Sequence, residues 1–299
     1  MVDFAIHAIE QVLLDGPPDL MAMDFMSPYV WRGDGSVFHS RPGLQMLVRA
    51  VPGDGAPSGL IWAGCSQDGL RFLMEPTPAI TPGPEAVDEA GVEDPTVYID
   101  EHGCLVFFTG VDAHGQGSML VAEGPDELHL AKRAVALRAP EGEGNIKEAT
   151  LARASDGTWR LFYEYARNNA SRIGLAVSET PRGPWISVAD PFDIREDGWD
   201  NWHLSTGPIL DRPGMDPVMF YNGATVDARW RIGWISFSPD YRTVTDRGIE
   251  PLIMPPPPKD RTATDIAFAA SLVDGPDGPF LYYSLEDRTL RRARINVYG

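Results

Sequence analysis

Short runs of apolar and aromatic residues recur along the whole chain, and turn-forming residues separate them. The segments Leu44–Val51, Cys104–Phe108 and Trp159–Tyr163 are typical of these runs. Gly, Asp, Asn and Pro stand between the runs, and the 3.6-residue spacing of a long amphipathic helix is hard to find. Many short strands bounded by turn signals predict an all-β fold.

A weak internal repeat groups the runs into five units, and a repeat of ~40–50 residues is the signature of a propeller. Each unit has a short first strand, a turn of the Asp-Gly type, an aromatic strand and a third strand. The first strands are aligned at Ser27, Asp94, Glu148, Gly207 and Asp265. The repeat predicts one domain, residues 1–299, folded as a single five-bladed β-propeller of four-stranded antiparallel blades.

Two further expectations concern the architecture. We expect residues Phe4–Leu14 to complete a blade by pairing with the last unit of the chain. The alternative to the propeller is a two-sheet sandwich in which the similarity between the units arises by chance.

The charge of the chain restricts its partners. Lys and Arg number 25 against 43 Asp and Glu, which gives a net charge of −18. Phosphate binding needs a basic face, so we expect no nucleic acid and no anionic membrane as a partner. No stretch approaches the ~20 apolar residues of a membrane span, and the first residues lack the features of a secretory signal. We therefore expect a cytoplasmic protein, and the sequence leaves a homo-oligomer open.

The sequence offers little metal or redox chemistry. Two cysteines, Cys65 and Cys104, are too few for a disulfide framework. No spacing of His, Cys and Asp resembles a metal site, and glycine-rich phosphate loops are missing from the sequence. We therefore expect neither a metal ion nor an organic cofactor.

Carboxylates stand at the start of the first strands. In a propeller these strands line a central channel, so residues at equivalent positions converge at its mouth. Asp94, Glu148 and Asp265 hold such positions. Carboxylates that share a cleft shift each other's pKa values apart, which acid and base catalysis requires. The alternative is that each carboxylate caps a turn by accepting backbone hydrogen bonds.

One motif points to a known family. Gly91-Val-Glu-Asp-Pro-Thr-Val97 resembles the Gly-x-Glu-Asp-Pro-Arg motif of glycoside hydrolase family 130, which contains mannoside phosphorylases and β-mannoside hydrolases. Met219–Gly223 resembles that family's Ile-Tyr-His-Gly strand, and Leu281–Asp287 resembles its closing Tyr-Tyr-Gly-Ala-Ala-Asp. Glu148 and Ile173–Trp185 are similar to the third blade of family 43 glycosidases, in which the glutamate is the general acid. Both families are five-bladed propellers, and the resemblance implies that Asp94 is a catalytic acid with Glu148 as its rival.

The departures from these patterns concern the acceptor and the base. Thr96 stands where family 130 phosphorylases have Arg, and Asn222 stands where they have His. Those positions help to bind phosphate in the family, so water becomes the favoured acceptor. Ser27 stands where family 43 hydrolases have the aspartate base, which leaves Asp24 and Asp265 as candidate bases.

The remaining candidates are polar and aromatic residues near the expected mouth. Aromatic side chains suit the apolar C–H faces of sugars, and Trp202 and His203 lie in a polar, aromatic loop, Trp199–His203. The candidate substrate-binding residues are Ser27, Arg49, Lys147, Arg167, Trp202, His203, Asn222 and Asp287.

These observations predict a glycoside hydrolase that cleaves small oligosaccharides by carboxylate acid and base catalysis. The resemblance implies β-mannosidic bonds as the substrate class. Two alternatives remain, a phosphate-dependent glycoside phosphorylase and a carbohydrate-binding propeller without activity. The missing first-blade base favours the last of these, whereas the retained Asp94 and Glu148 favour an enzyme.

Overall fold

A computed structural model describes residues 3–33, 42–53, 59–257 and 265–298. Almost all regular structure is extended, and the helices are one turn at Pro18–Met21 and one 3-10 turn at Ala86–Asp88. The all-β prediction is confirmed. The strands are β1 Asp3–Asp15, β2 Asp24–Gly33, β3 Gly43–Val51, β4 Leu60–Ser66, β5 Arg71–Met74, β6 Gly91–Asp100, β7 Gly103–Val111, β8 Gly117–Gly124, β9 Ala131–Leu137, β10 Gly144–Arg153, β11 Trp159–Arg167, β12 Ala170–Ser178, β13 Ile186–Val188, β14 His203–Ser205, β15 Ile209–Leu210, β16 Val218–Met219, β17 Asn222–Ala224, β18 Trp230–Ile232, β19 Ile235–Phe237, β20 Val244–Arg247, β21 Ala267–Val273, β22 Phe280–Leu285 and β23 Thr289–Tyr298.

Most strands pair antiparallel with their neighbours along the chain. Two sheets have the orders β6-β7-β8-β9 and β10-β11-β12-β13. In the segment β14–β20, three strands are each split in two, as β14 and β15, β16 and β17, and β18 and β19. The pieces form two small sheets, with the orders β14-β17-β18 and β15-β16-β19-β20. Four-stranded antiparallel sheets in simple sequence order fit a propeller.

The first and last segments of the chain meet in one sheet of order β2-β3-β4-β5-β1-β23-β22-β21. The N-terminal strand β1 pairs antiparallel with β23 from Phe4 opposite Val297 to Val12 opposite Leu290. The other edge of β1 pairs in parallel with β5. The expected pairing of the N-terminal segment with the last unit is therefore confirmed.

Buried hydrophobic side chains fill the spaces between consecutive sheets. In β7, Val106 and Phe108 pack toward β3 and β4, whereas Leu105 and Phe107 pack toward β10 and β11. Side chains alternate between the two faces of a strand, and both faces of β7 are covered. A covered strand can be apolar throughout, which explains the unbroken run Cys104–Phe108.

Side chains also tie each first strand to its neighbour. Thr96 Oγ1 donates to the carbonyl of Ala149 at 2.6 Å, and Thr206 Oγ1 donates to the carbonyl of Glu148 at 2.9 Å. Ser271 Oγ in β21 donates to the carbonyl of Pro28 in β2 at 2.7 Å. These bonds fix the first strands against one another, so side chains from different sheets can form one site.

Candidate active site

The first strands of three sheets carry the same irregularity. In β2, β6 and β10 the pairing register shifts around Ser27, Asp94 and Glu148. These residues have φ values of 49°, 52° and 48°, in the left-handed region that residues other than glycine rarely adopt. A proline follows both Ser27 and Asp94, and residues before proline prefer extended backbone. Such strain persists only where the surrounding structure enforces it, and it is common at functional sites.

The bulges also correct the alignment of the last unit. In β21 the register shifts between Ala269 and Ser271, so Ala270 holds the position equivalent to Asp94 and Glu148. Asp265 lies five residues earlier, where its Oδ2 accepts a bond from Arg229 Nη1 at 2.8 Å. The alignment of Asp265 with the other two carboxylates is therefore wrong, because the apolar residues that follow Asp265, Ile266–Ala269, come before the bulge of this strand.

Glu93 organises the positive charge of the site. Its side chain is buried, and its two oxygens are bound by different cations. Arg49 Nη2 donates to Oε1 at 2.5 Å, and Lys147 Nζ donates to Oε2 at 2.8 Å. One carboxylate therefore holds a cation from β3 and a cation from β10 beside Asp94.

Asp94 is buried at its bulge between a hydroxyl group and a cation. Ser27 Oγ donates to Asp94 Oδ1 at 2.6 Å, and Arg49 Nη1 lies 3.8 Å from the same oxygen. Burial raises the pKa of Asp94 and the charge of Glu93 adds to this, while Arg49, Lys147 and the Ser27 bond oppose it. The hydroxyl and the guanidinium stabilise the ionised form of Asp94, so its pKa is raised less than that of a buried carboxylate without such partners.

Glu148 lacks this support. Among the described residues, no hydrogen bond ends on its side chain. Burial holds the pKa of Glu148 well above its usual range, and the charges of Asp94 and Glu164 raise it further. The charges of Lys147 and Arg49 only partly offset these effects. Glu148 is therefore the carboxylate of this site that retains a proton most readily.

The structure adds a carboxylate that the sequence analysis missed. Glu164 lies in β11 opposite Lys147, and Ser171 Oγ donates to its Oε1 at 2.8 Å. The equivalent partner positions on the other second strands are Arg49, Thr109, Asn222 and Tyr283. An alignment of second strands on these positions would have found Glu164, which an alignment of first strands alone leaves out.

Comparisons with known proteins place this site on a known fold. The chain superposes on a β-1,2-mannobiose phosphorylase from Listeria innocua with a TM-score of 0.74 and 16% identity, over 95% of this chain and 96% of that one. A glycosyl hydrolase from Bacteroides ovatus gives a TM-score of 0.76 at 17% identity, over 99% and 94%.

A further structure comes from the GH130 family of mannoside phosphorylases, which contains glycoside hydrolases that target β-1,2-mannosidic linkages in Candida mannan. It matches at a TM-score of 0.75 and 18% identity, over 99% of this chain and 94% of that one. No protein-family profile matches the sequence, and no curated protein has significant sequence similarity to it. The resemblance to family 130 is therefore confirmed at the level of the fold.

Two positions that depart from the family 130 motifs have structural roles in this chain. Asn222 is fully buried, and its amide donates to the carbonyls of Thr206 and Ala269 while its oxygen accepts the amide of Ala269 at 2.7 Å. Thr96 is buried and donates to Ala149. The expected contact of Asn222 with substrate is replaced by a bond between strands, because its side chain has no remaining polar atom.

Asp287 reaches the site from the turn between β22 and β23. It has a φ of 48° in this turn, and burial raises its pKa while the charge of Arg49 lowers it. The charge of Asp24 also acts on Asp287. Asp24 itself lies at the rim, with its side chain 45% exposed and its Oδ2 3.9 Å from Arg288 Nε. Asp287 therefore belongs to the charged cluster, and Asp24 lies at its edge.

The other predicted binding residues lie farther from the carboxylates. Arg167 is held by Glu143 at 2.8 Å and by Asp190 at 3.1 Å, so its charge is already paired. Trp202 has a 37% exposed side chain. His203 Nδ1 accepts the backbone amide of Ser171 at 3.1 Å. Trp202 and His203 therefore lie next to the β11–β12 turn.

Two other aromatic residues, Trp199 and Tyr165, are packed against the protein. Trp199 stacks on Tyr221 with ring centroids 5.5 Å apart, and its Nε1 donates to the carbonyl of Ile249 at 3.0 Å. Tyr165 is fully buried, and its hydroxyl donates to Asp190 at 2.6 Å. Neither ring presents a free face to a sugar.

The described residues show no group of three or more His, Cys, Asp or Glu side chains arranged to hold a metal ion. None of the helices in these ranges is long or apolar enough to cross a lipid bilayer.

Proposed function

We propose that the chain is a single five-bladed β-propeller that hydrolyses small β-mannosides. The parallel contact between β1 and β5 divides the eight-stranded sheet into two four-stranded units, β2-β3-β4-β5 and β21-β22-β23-β1. With the sheets β6–β9 and β10–β13 and the interrupted unit β14–β20, this makes five. Ser271 in β21, the first strand of the last unit, donates to Pro28 in β2, the first strand of the first unit, and this bond supports closure of the ring.

The observation that carries the proposal is the pair of strained carboxylates, Asp94 and Glu148, on neighbouring first strands. Two buried like charges cannot both ionise freely, so the pair shares one proton. The bonds that Asp94 receives favour its ionised form, and Glu148 has no such partner among the described residues. Glu148 is the proton donor to the leaving oxygen, and Asp94 is the ionised partner.

Glycoside hydrolysis needs these two groups and water. The bond between the anomeric carbon and the leaving oxygen breaks as Glu148 transfers its proton to that oxygen. Asp94 acts on the opposite side, where it removes the proton of the attacking water or bonds to the anomeric carbon before water replaces it. The configuration of the released sugar distinguishes these two courses.

Water is the proposed acceptor because the predicted cations Arg49, Lys147 and Arg167 are each bound by a carboxylate. Glu93 binds both Arg49 and Lys147. Thr96 and Asn222 bond to the protein backbone. Inorganic phosphate would have to compete with a buried carboxylate for the two cations and would face the negative charge of the remaining acids.

The substrate class comes from the fold neighbours. One is named a β-1,2-mannobiose phosphorylase, and another comes from a family whose hydrolases target β-1,2-mannosidic linkages. β-1,2-Mannobiose is therefore the first substrate to test. The same neighbours make phosphorolysis the second candidate, and Arg49 and Lys147 are the cations that would bind phosphate.

The test measures product formation from β-1,2-mannobiose with and without inorganic phosphate, and it separates free mannose from mannose 1-phosphate. We expect mannose to form at equal rates in both conditions. Strict dependence on phosphate with release of mannose 1-phosphate would establish the phosphorylase instead. Binding of mannobiose by calorimetry without turnover in either condition would identify a carbohydrate-binding propeller. The Glu148→Gln variant is the control for contaminating activity.

A further inference from the structure

His203 is held in one protonation state. The backbone amide of Ser171 donates to its Nδ1 at 3.1 Å, and a backbone amide can only donate. Nδ1 therefore carries a lone pair, and the proton of the neutral ring is on Nε2. Burial lowers the pKa of His203, and the charge of Arg172 lowers it further, which keeps the ring neutral. No described residue accepts a bond from Nε2, so this N–H is a donor without a protein partner.

An aromatic row extends from this imidazole. The ring of Trp230 lies 5.4 Å from the ring of His203 at an angle of 34°, and Phe268 lies 5.3 Å beyond Trp230. His203 and Trp230 both pair with Ala224, so they project from one face of their sheet. All three rings are partly exposed. We call these residues, His203, Trp230 and Phe268, the aromatic row.

The aromatic row adjoins the catalytic carboxylates. Ser171 connects the two, because its Oγ binds Glu164 and its amide binds His203. The charge of Glu164 in turn acts on Glu148. His203 lies two residues before Ser205, the position opposite Asn222 that is equivalent to Lys147. Two residues of extended strand span roughly 6.6 Å, which places the row outward from the pair along the mouth.

We infer that the aromatic row is a binding subsite for a neutral sugar unit beyond the two that flank the cleaved bond. The apolar C–H face of a pyranose suits the ring of Trp230, and a hydroxyl oxygen suits the Nε2–H of His203. The nearby cations Arg229 and Arg172 lie 2.8 Å from Asp265 and 3.6 Å from Asp193, so both are paired with carboxylates and a neutral sugar suits the row better than an acidic one. The preferred substrate is therefore an oligosaccharide of at least three units. This inference rests on the proposed function for the position of the cleaved bond.

The experiment compares β-1,2-mannotriose with 4-nitrophenyl β-mannoside, which ends before the aromatic row. In Trp230→Ala and His203→Ala, we expect the ratio of kcat/KM for mannotriose to that for the aryl mannoside to fall ~10-fold, the effect of one lost hydrogen bond or stacking contact. Trp230→Phe keeps an aromatic face and should retain most of the ratio. Tyr298→Ala removes an exposed aromatic ring elsewhere and should leave both substrates unaffected.

Calorimetry separates this inference from the proposed function. Glu148→Gln is titrated with mannotriose in the presence and absence of the Trp230→Ala change, and melting curves establish that each variant is folded. A ~10-fold increase in Kd on loss of Trp230 supports the subsite even if the wild-type chain hydrolyses nothing. Equal affinity with and without Trp230, no binding of mannotriose, or equal losses on both substrates would overturn it.

Discussion

Two buried clusters of carboxylates and cations differ in their charge balance and in their role, one structural and one catalytic. In the interrupted unit β14–β20, the fully buried Asp200 accepts bonds from Arg195 at 3.0 Å, Arg247 at 2.5 Å and the hydroxyl of Tyr221 at 2.5 Å. Two cations and a hydroxyl group serve one carboxylate. The charge of Asp200 is fully compensated and the aromatic ring of Trp199 lies over Arg195, so Asp200 is a structural centre.

The cluster at the candidate active site has the opposite balance. Two cations, Arg49 and Lys147, face five carboxylates. The five are Glu93, Asp94, Glu148, Glu164 and Asp287. Glu93 binds both cations, so the remaining acids repel one another and burial with this repulsion raises their pKa values. A surplus of one charge sign is poor for stability, and it supplies the exchangeable proton that acid catalysis needs.

The largest expected effect is on catalysis. Glu148→Gln and Asp94→Asn each remove a titratable group and keep its shape. We expect each to reduce kcat/KM on mannobiose by ~10²–10⁴-fold, about 3–5 kcal/mol of transition-state stabilisation. The variant that lacks the acid should lose less on aryl mannosides with good leaving groups, because these need little protonation. We expect that pattern for Glu148→Gln.

The same pair of variants can contradict the assignment. If Asp94→Asn shows the leaving-group pattern instead, Asp94 is the acid, as its motif implies, and Glu148 is the partner. Full activity in both variants would reject the catalytic role of the pair.

Glu148→Gln should also melt no lower than the wild-type chain at pH 8. Because the folded-state pKa of Glu148 is raised, ionising it costs stability as pH rises above about 4.5, and glutamine avoids this cost.

The second effect is on stability and concerns the compensated cluster. Asp200→Asn leaves Arg195 and Arg247 without their counter-charge in a buried setting. We expect a loss of about 3 kcal/mol in the free energy of unfolding, measured by urea denaturation. The matched control is Asp274→Asn, which removes an exposed ion pair with Arg212 and should cost about 0–1 kcal/mol. Equal losses in the two variants would show that compensation does not distinguish these sites.

The sequence was sufficient for the features that repeat. Ser27-Pro and Asp94-Pro mark equivalent bulges, and Glu148 could be aligned with them because apolar strand residues follow each one. The pairing of the N-terminal strand with β23 could also be predicted, because the last unit lacked a strand. These features depend on local patterns that recur along the chain.

Features set by register between strands could not be predicted. Asp265 lies five residues before the bulge at Ala270, and no residue type in the sequence marks the position of that bulge. Glu164 enters the site because it faces Lys147 on the adjacent strand, and its neighbours in sequence are core residues. The motif around Asn222 suggests a site residue, whereas its side chain bonds to the backbone of Ala269 on another strand, a contact that the sequence does not indicate.

The smallest expected effect tests whether the surplus of negative charge tunes the catalytic acid. Glu164 raises the pKa of Glu148. In Glu164→Gln the pKa of Glu148 should fall, so less of it is protonated at a given pH. The alkaline limb of the kcat/KM profile, where activity falls as pH rises through this pKa, should therefore move to lower pH. Glu179→Gln, a change at an exposed carboxylate, is the control and should leave the limb in place. A uniform loss of activity without movement of the limb would mean that Glu164 positions substrate or Ser171 and does not tune Glu148.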